Sequence, residues 1–91
     1  MRFALIAHDK DNTLNIRLEN RVAHLAYVAE SGVVEMAGPF LDVEGNMCGS
    51  LLILSLDSIA AAHAWAEKDP YAKAGLFETV TIQEWKKVIG S

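Results

Sequence analysis

The stretch from Leu14 to Gly32, LNIRLENRVAHLAYVAESG, is the part of the sequence that most constrains the fold. Its apolar residues recur at helical spacing and, on a wheel of about 100° per residue, fall within roughly 80° of one another. These residues are Leu14, Leu18, Val22, Leu25 and Ala29. The pattern predicts a helix from Leu14 to Ser31 with this stripe in the core, and Gly32 is the kind of residue that ends a helix.

A strand is predicted before this helix. Residues 2–8 are apolar on both sides of the alternation, which is typical of a strand buried on both faces. The following segment is a polar turn, in which Asp11, Asn12 and Thr13 each have a side chain suited to capping the helix.

Two more strands are predicted after Gly32, joined as a hairpin. Val33 to Ala37 has the character of a second strand, which Gly38-Pro39 is expected to stop. Asp42 to Asn46 is a polar turn, and Cys48 to Leu56 is the third strand.

The last third of the chain predicts a helix, a short extra turn and a final strand. The helix runs from Ile59 to Glu67 and is rich in alanine, with Asp57 or Ser58 as its cap. Asp69-Pro70 has the composition of an N-cap and a first helical position. Leu76 to Ile82 is the last strand, and the segment after it either continues that strand or packs along an edge.

The order of elements is strand, helix, strand, strand, helix, strand. This order predicts an α+β fold of the ferredoxin-like βαββαβ type, with one four-stranded antiparallel sheet and the helices on one face. The second face of such a sheet is bare, yet the first and third strands are apolar on both sides. A large bare apolar face is unusual on a soluble monomer, so we expect a second copy to cover it as a homodimer.

Length and composition exclude several classes of protein. The 91 residues are enough for one domain, spanning 1–91. Acidic residues outnumber basic ones by 12 to 8, and the basic residues are scattered, so we expect neither a nucleic acid partner nor a membrane surface. No apolar run approaches the roughly 20 residues of a membrane span, and the apolar start is interpreted as a strand, which favours a soluble cytoplasmic protein.

The cysteine and histidine content argues against a metal site and a disulfide. Cys48 is the single cysteine and has no partner for an internal disulfide. The histidines lack the H-x-x-x-H and H-E-x-x-H spacings of metal-binding helices, so no metal is expected. No phosphate loop or dinucleotide fingerprint is present, and no cofactor is expected.

Three polar residues of the first helix form a candidate site. Arg17, Arg21 and His24 fall roughly 40° apart or less on the wheel, at the edge of the apolar stripe, and should project into the boundary between core and solvent. Two guanidiniums could hold a carboxylate, phenolate or phosphate while the imidazole moves a proton. The alternative is a solvated helix edge whose arginines pair with Glu19, Asn20 or the acidic turns.

Each of the other polar residues could contribute to a site or have an ordinary structural role. Asp69 is explained by its capping position. His8 and Asp9 lie where the first strand ends, which is a common place for ligand contacts but also simply the start of a turn. Ser50 follows a glycine, but no G-x-S-x-G motif surrounds it, which argues against a serine-hydrolase nucleophile.

Taken together, the motifs resemble the YciI-like (YCII-related domain) family over nearly the whole chain. Each motif is weak alone, while their order and spacing are fairly specific. The matching segments are Asn12-Thr13-Leu14, Arg17-Leu18, Arg21, His24-Leu25, Gly38-Pro39, the turn Asp42 to Asn46, Gly49-Ser50, Trp65-Ala66, Asp69-Pro70-Tyr71, Lys73-Ala74-Gly75 and Glu84-Trp85-Lys86-Lys87.

The resemblance implies a ferredoxin-like dimer of the α+β-barrel type with an active site built on a histidine and an aspartate. Carried onto this sequence, these are His24 and Asp69, and Ser50 and the arginines are neighbours that bind substrate. His8 stands where glutamine is common among close relatives, which implies a different preference for substrate or proton.

Two functions follow as hypotheses. In the first, the protein is an enzyme in which His24, oriented by Asp69, acts as general acid and base on a small anionic or aromatic metabolite. Isomerisation, elimination (a lyase reaction) and hydrolysis all suit such a pair. In the second, the domain is a dimeric module that binds a small molecule without changing it, or an accessory subunit.

Overall fold

The computed structural model describes residues 1–90 as a single sheet with its helices on one side. The elements are β1 (Arg2–Asp9), α1 (Leu14–Ser31), β2 (Val34–Leu41), β3 (Met47–Ser55), α2 (Ile59–Glu67), α3 (Pro70–Lys73) and β4 (Phe77–Trp85). The four strands lie in the order β2-β3-β1-β4, and every neighbouring pair is antiparallel. This confirms the predicted ferredoxin-like fold.

The two central strands supply most of the core. Phe3 lies opposite Leu54 and Leu5 opposite Leu52, and all four side chains are almost fully buried under the helices. Burying each such side chain stabilises the fold by about 1.5 to 3 kcal/mol. Because side chains alternate along a strand, Ser50 lies on this same helix-covered face at the end of the apolar rows.

Strand β2 does not stop where the sequence suggested. It continues through Gly38-Pro39 to Leu41, with Pro39 paired to Ser50. Because β2 is at the edge of the sheet, the missing N–H of the proline need not leave a gap in a central ladder. The prediction of a strand ending at Ala37 is therefore wrong, and the extra residues form one wall of a cavity.

Strand β4 is longer than Leu76 to Ile82. It extends to Trp85, which pairs with Arg2. Of the two alternatives for this segment, continuation of the strand is the one that the structure adopts.

The buried face of α1 is not the apolar stripe. Leu18, Val22 and Leu25 are 54%, 82% and 50% exposed, whereas Arg17 and His24 are 2% and 7% exposed. Burying polar side chains costs little when each finds a hydrogen-bonding partner, and both of these do, as described below. The prediction of a core stripe is wrong, and Arg17 and His24 lie in the interior and not at the boundary with solvent.

The helix caps follow the sequence in two cases out of three. The Ser58 hydroxyl accepts a hydrogen bond from the Ala61 amide at 3.1 Å, and the Asp69 carboxylate accepts one from the Tyr71 amide at 3.0 Å. Thr13 occupies the N-cap position of α1 but makes no side-chain cap bond there.

The sheet face away from the helices is partly apolar. Leu51 is 37% exposed and Met36 54% exposed on this side. Arg2 and Glu35 form an ion pair of 2.8 Å at its margin. None of the helices within residues 1–90 is long and apolar enough to cross a bilayer.

Candidate functional site

A cavity of about 130 Å³ opens between α1, the β2–β3 ribbon and α3. One side carries polar groups from α1 and β3, and the other is formed by the extended end of β2. Its lining residues are Arg17, Arg21, His24, Leu25, Ala37, Gly38, Pro39, Met47, Ser50, Leu52 and Tyr71.

A buried ion pair lies at one end of the cavity. The Arg17 guanidinium donates from Nε to Asp9 Oδ2 and from Nη2 to Asp9 Oδ1, both at 2.8 Å. Nη2 also donates to Ser50 Oγ at 2.9 Å. Burial alone would lower the pKa of Arg17, but its contacts with Asp9 and, to a lesser extent, with Tyr71 outweigh burial and raise that pKa. Arg17 is therefore a fixed cation.

A second buried pair joins α1 to the start of α3. His24 Nδ1 and Asp69 Oδ1 are 2.7 Å apart, and both side chains are buried. The same carboxylate oxygen accepts the Tyr71 amide, so the capping role of Asp69 and its contact with His24 coexist. Because the carboxylate accepts a hydrogen bond from the Nδ1–H group, Nε2 is the ring nitrogen left for a ligand in the cavity.

Tyr71 is the member of this site that the sequence reasoning did not single out. Its ring stacks on the His24 imidazole with centroids 3.9 Å apart and planes 12° apart. The Arg17 guanidinium carbon lies 4.7 Å from the centroid of the same ring. Burial raises the pKa of Tyr71, and the charges of Arg17 and Arg21 oppose that rise. The signal available in the sequence was its position directly after the cap Asp69-Pro70.

The structure brings most of the predicted site residues together. Arg17, His24, Ser50 and Arg21 line the cavity, and Asp9 and Asp69 hold two of them from behind. Arg21 is the exposed member of the α1 group, and within residues 1–90 it has no ion-pair partner.

His8 is the predicted residue that lies elsewhere. It is exposed and stacks on Phe40 with ring centroids 5.7 Å apart. Since Ala7 faces the helices, His8 projects from the opposite face of the sheet, away from the cavity. Among residues 1–90, no group of three or more histidine, cysteine or carboxylate side chains is arranged to hold a metal ion.

The chain is similar to known proteins over almost the whole length of both sequences. Protein YciI of Escherichia coli is 38% identical over 97 aligned positions, which cover 97% of this chain and 99% of that protein. A protein of Haemophilus influenzae is 35% identical over 98 positions with the same coverage.

Comparisons with solved structures agree. The chain resembles 5-chloro-2-hydroxyhydroquinone dehydrochlorinase of Burkholderia phenoliruptrix, in complex with 2,5-dihydroxybenzoquinone, with a TM-score of 0.88, 34% identity and 94% of each chain covered. An antibiotic biosynthesis monooxygenase, 11% identical with a TM-score of 0.55 over 94% of this chain and 98% of the other, shares the fold alone. The profile of the YCII-related domain matches residues 1–86, and the chain belongs to that family.

Proposed function

We propose that the protein is an enzyme that uses His24, oriented by Asp69, as general acid and base on a small hydroxylated aromatic or quinone-like metabolite. The observation that carries this proposal is the 2.7 Å contact between His24 Nδ1 and Asp69 Oδ1, buried in the wall of a cavity. A buried carboxylate beside one nitrogen of an imidazole sets its tautomer and directs the other nitrogen toward a substrate.

The chemistry begins with proton transfer to Nε2 of His24. As the proton leaves an O–H or C–H group of the substrate, negative charge grows on the substrate oxygens. The resulting imidazolium is stabilised by Asp69, and Arg21, with Arg17 further in, faces the developing anion. Returning the proton at a different atom gives isomerisation, while loss of a leaving group gives elimination.

The size of the cavity supports a substrate with a single ring. Its volume of about 130 Å³ is close to that of an engineered protein cavity of ~150 Å³ that accepts benzene. The apolar wall formed by Pro39, Met47 and Leu52 suits the ring, while the arginines suit its oxygens.

The name and bound compound of one similar structure support a hydroxylated aromatic or quinone-like substrate. The dehydrochlorinase is named for a chlorinated hydroxyhydroquinone, and its structure holds a dihydroxybenzoquinone. Elimination of a halide from such a ring requires a group that accepts a proton, which is the part that we assign to His24 in this chain.

A substrate screen with two matched histidine variants tests the proposal. Halogenated and plain hydroxyhydroquinones are incubated with the protein, and products are identified by mass spectrometry. We expect the wild type and the exposed-histidine control His63→Ala to turn over a common substrate, and His24→Ala to lose at least about a hundredfold in kcat. Full turnover by His24→Ala would show that the base is assigned wrongly.

Binding without product would instead favour the non-catalytic hypothesis. In that case the screened compounds would raise the melting temperature of the wild type while mass spectrometry found them unchanged. A rise in melting temperature accompanied by product supports the enzyme.

We also propose that the protein is a homodimer in which two sheets pack face to face. The support is the partly exposed apolar surface opposite the helices, which includes Met36, Leu51 and Trp85. Light scattering at micromolar concentration should give twice the monomer mass for the wild type. The variant Leu51→Arg should give the mass of one monomer. A wild-type monomer under these conditions would contradict the proposal.

A further inference from the structure

We propose that Tyr71 is a working residue of this site, whose ring positions the His24 imidazole and whose hydroxyl donates a hydrogen bond to the oxyanion of the bound ring. The inference rests on the proposed function, and it adds a second donor and a positioning group to the His24–Asp69 pair. The support for it is that the Tyr71 side chain contacts both His24 and Arg17.

The direction of the His24 ring is set by two contacts. One hydrogen bond at Nδ1 fixes the position of that nitrogen but still allows the ring to tilt about the Nδ1···Oδ1 line. The nearly parallel Tyr71 ring, 3.9 Å away, blocks that tilt from one face. Asp69 holds the imidazole at its edge and Tyr71 holds it at its face, so the direction of Nε2 is fixed by both.

Tyr71 is itself held firmly in place. Its side chain is only 1% exposed, its amide is bonded to Asp69, and its ring makes an edge contact with Phe77 at 6.0 Å. A tyrosine needed only for packing would be explained by these contacts. They do not account for its position on the wall of a cavity that Arg17 and Arg21 also line.

The Tyr71 hydroxyl is suited to donate a hydrogen bond. Burial raises the pKa of Tyr71, so at neutral pH the phenol keeps its proton and can donate it in a hydrogen bond. The Arg17 guanidinium lies 4.7 Å from the ring centroid and Arg21 lines the same cavity, so Tyr71 is in the part of the site where substrate oxygens are expected. A neutral donor beside two cations strengthens the binding of an oxyanion and adds no charge.

Two substitutions separate the ring from the hydroxyl. Tyr71→Phe keeps the stacking surface and removes the donor, whereas Tyr71→Leu removes both. The matched control is Tyr27→Phe. It removes the hydroxyl of a half-buried tyrosine that donates to the Trp65 carbonyl and lies outside the cavity lining.

The probe is 2,5-dihydroxybenzoquinone, and its Kd is measured by isothermal titration calorimetry. We expect Tyr71→Phe to weaken binding about tenfold, the effect of losing one hydrogen bond to a charged acceptor, while Tyr27→Phe binds as the wild type does. An unchanged Kd for Tyr71→Phe would overturn the role of the hydroxyl.

The positioning role is tested by the side-chain nitrogen signals of His24 in the unliganded protein. In wild type and Tyr71→Phe we expect sharp signals from one ring orientation, and in Tyr71→Leu we expect signals broadened by tilting of the ring, with a fall in kcat that exceeds any rise in KM. An unaltered spectrum in a folded Tyr71→Leu protein would overturn the positioning role.

The outcomes also separate this inference from the proposed function. If His24→Ala keeps its turnover while Tyr71→Phe loses affinity, the general base is wrong and the binding role of Tyr71 stands. If His24→Ala is inactive and Tyr71→Phe behaves as wild type, the general base is assigned correctly and the binding role of Tyr71 is wrong. A wild type that does not bind the hydroxyquinone overturns both.

Discussion

Helix α1 makes two buried pairs with carboxylates, and they differ in the chemistry that each leaves available. Arg17 makes two hydrogen bonds to Asp9 and a third to Ser50, whereas His24 uses one ring nitrogen on Asp69. The distances are nearly equal, at 2.8 and 2.7 Å, and all four side chains are buried. Short distance and burial therefore do not mark a reactive pair. The distinguishing feature is a free ring nitrogen, on a residue that lines the cavity, which can take up a proton, whereas the guanidinium stays a cation.

The largest expected effect comes from breaking the pair that anchors structure. Arg17→Met leaves Asp9 buried without its cation, which should lower the free energy of unfolding by about 3 to 5 kcal/mol. Urea denaturation followed by circular dichroism measures this. Adding Asp9→Leu to Arg17→Met should recover much of the lost stability. A double variant no more stable than Arg17→Met would show that the unpaired charge of Asp9 is not the cause of the loss.

The second pair should respond in activity more than in stability. Asp69→Asn keeps an oxygen that can cap α3 but no longer favours a proton on Nδ1 of His24. We expect kcat to fall about a hundredfold, equivalent to about 2.7 kcal/mol, and unfolding to change by less than about 1 kcal/mol. A loss of stability as large as that of Arg17→Met would make the two pairs equivalent.

The exposed arginine should sharpen the contrast with Arg17. Arg21→Gln removes a cation without an ion-pair partner in residues 1–90, so unfolding should change by no more than about 0.5 kcal/mol. Affinity for an anionic ring should fall about tenfold, because this charge faces the cavity. Calorimetry with Arg2→Gln as the control for loss of a surface charge distinguishes a local contact from a general electrostatic effect.

The smallest expected effect is a loss of stability at high pH. It involves Tyr71, whose ring contacts both His24 and Arg17. Burial raises the pKa of Tyr71 above the usual 10.0, and burial with the charge of Asp69 does the same for Tyr27. The unfolded chain therefore loses these protons first, and stability present below pH 10 declines as pH rises through the folded pKa values. Denaturation between pH 8 and 11 should show this decline, and Tyr71→Phe should make it shallower.

The sequence predicted the fold through features that are local. Strand and helix patterns, the Ser58 and Asp69 caps and the hairpin turn each depend on neighbours in the chain, and all of these appear in the structure. The predicted β2 ends too early, at Ala37, because Gly38-Pro39 taken alone is a turn signal. Its tolerance depends on an edge position that local sequence does not specify.

The orientation of α1 was predicted wrongly for a related reason. A helical wheel separates Leu18, Val22 and Leu25 from Arg17 and His24, but it does not say which face meets the sheet. The polar face is buried because Asp9, Ser50 and Asp69 satisfy it, and the last two are 33 and 45 positions away in sequence. The pairing of His24 with Asp69 came from the resemblance to YciI-like proteins, since spacing alone could not have given it.

The shared oxygen of Asp69 has a consequence for how the site can be observed without a substrate. Oδ1 accepts the Tyr71 amide and the His24 ring together, so any transient opening of the first turn of α3 also releases the imidazole. Amide hydrogen exchange at Tyr71 thus reports the lifetime of the assembled site. A ligand that binds only the assembled form should slow this exchange in proportion to its occupancy, which gives a screen that needs no reaction.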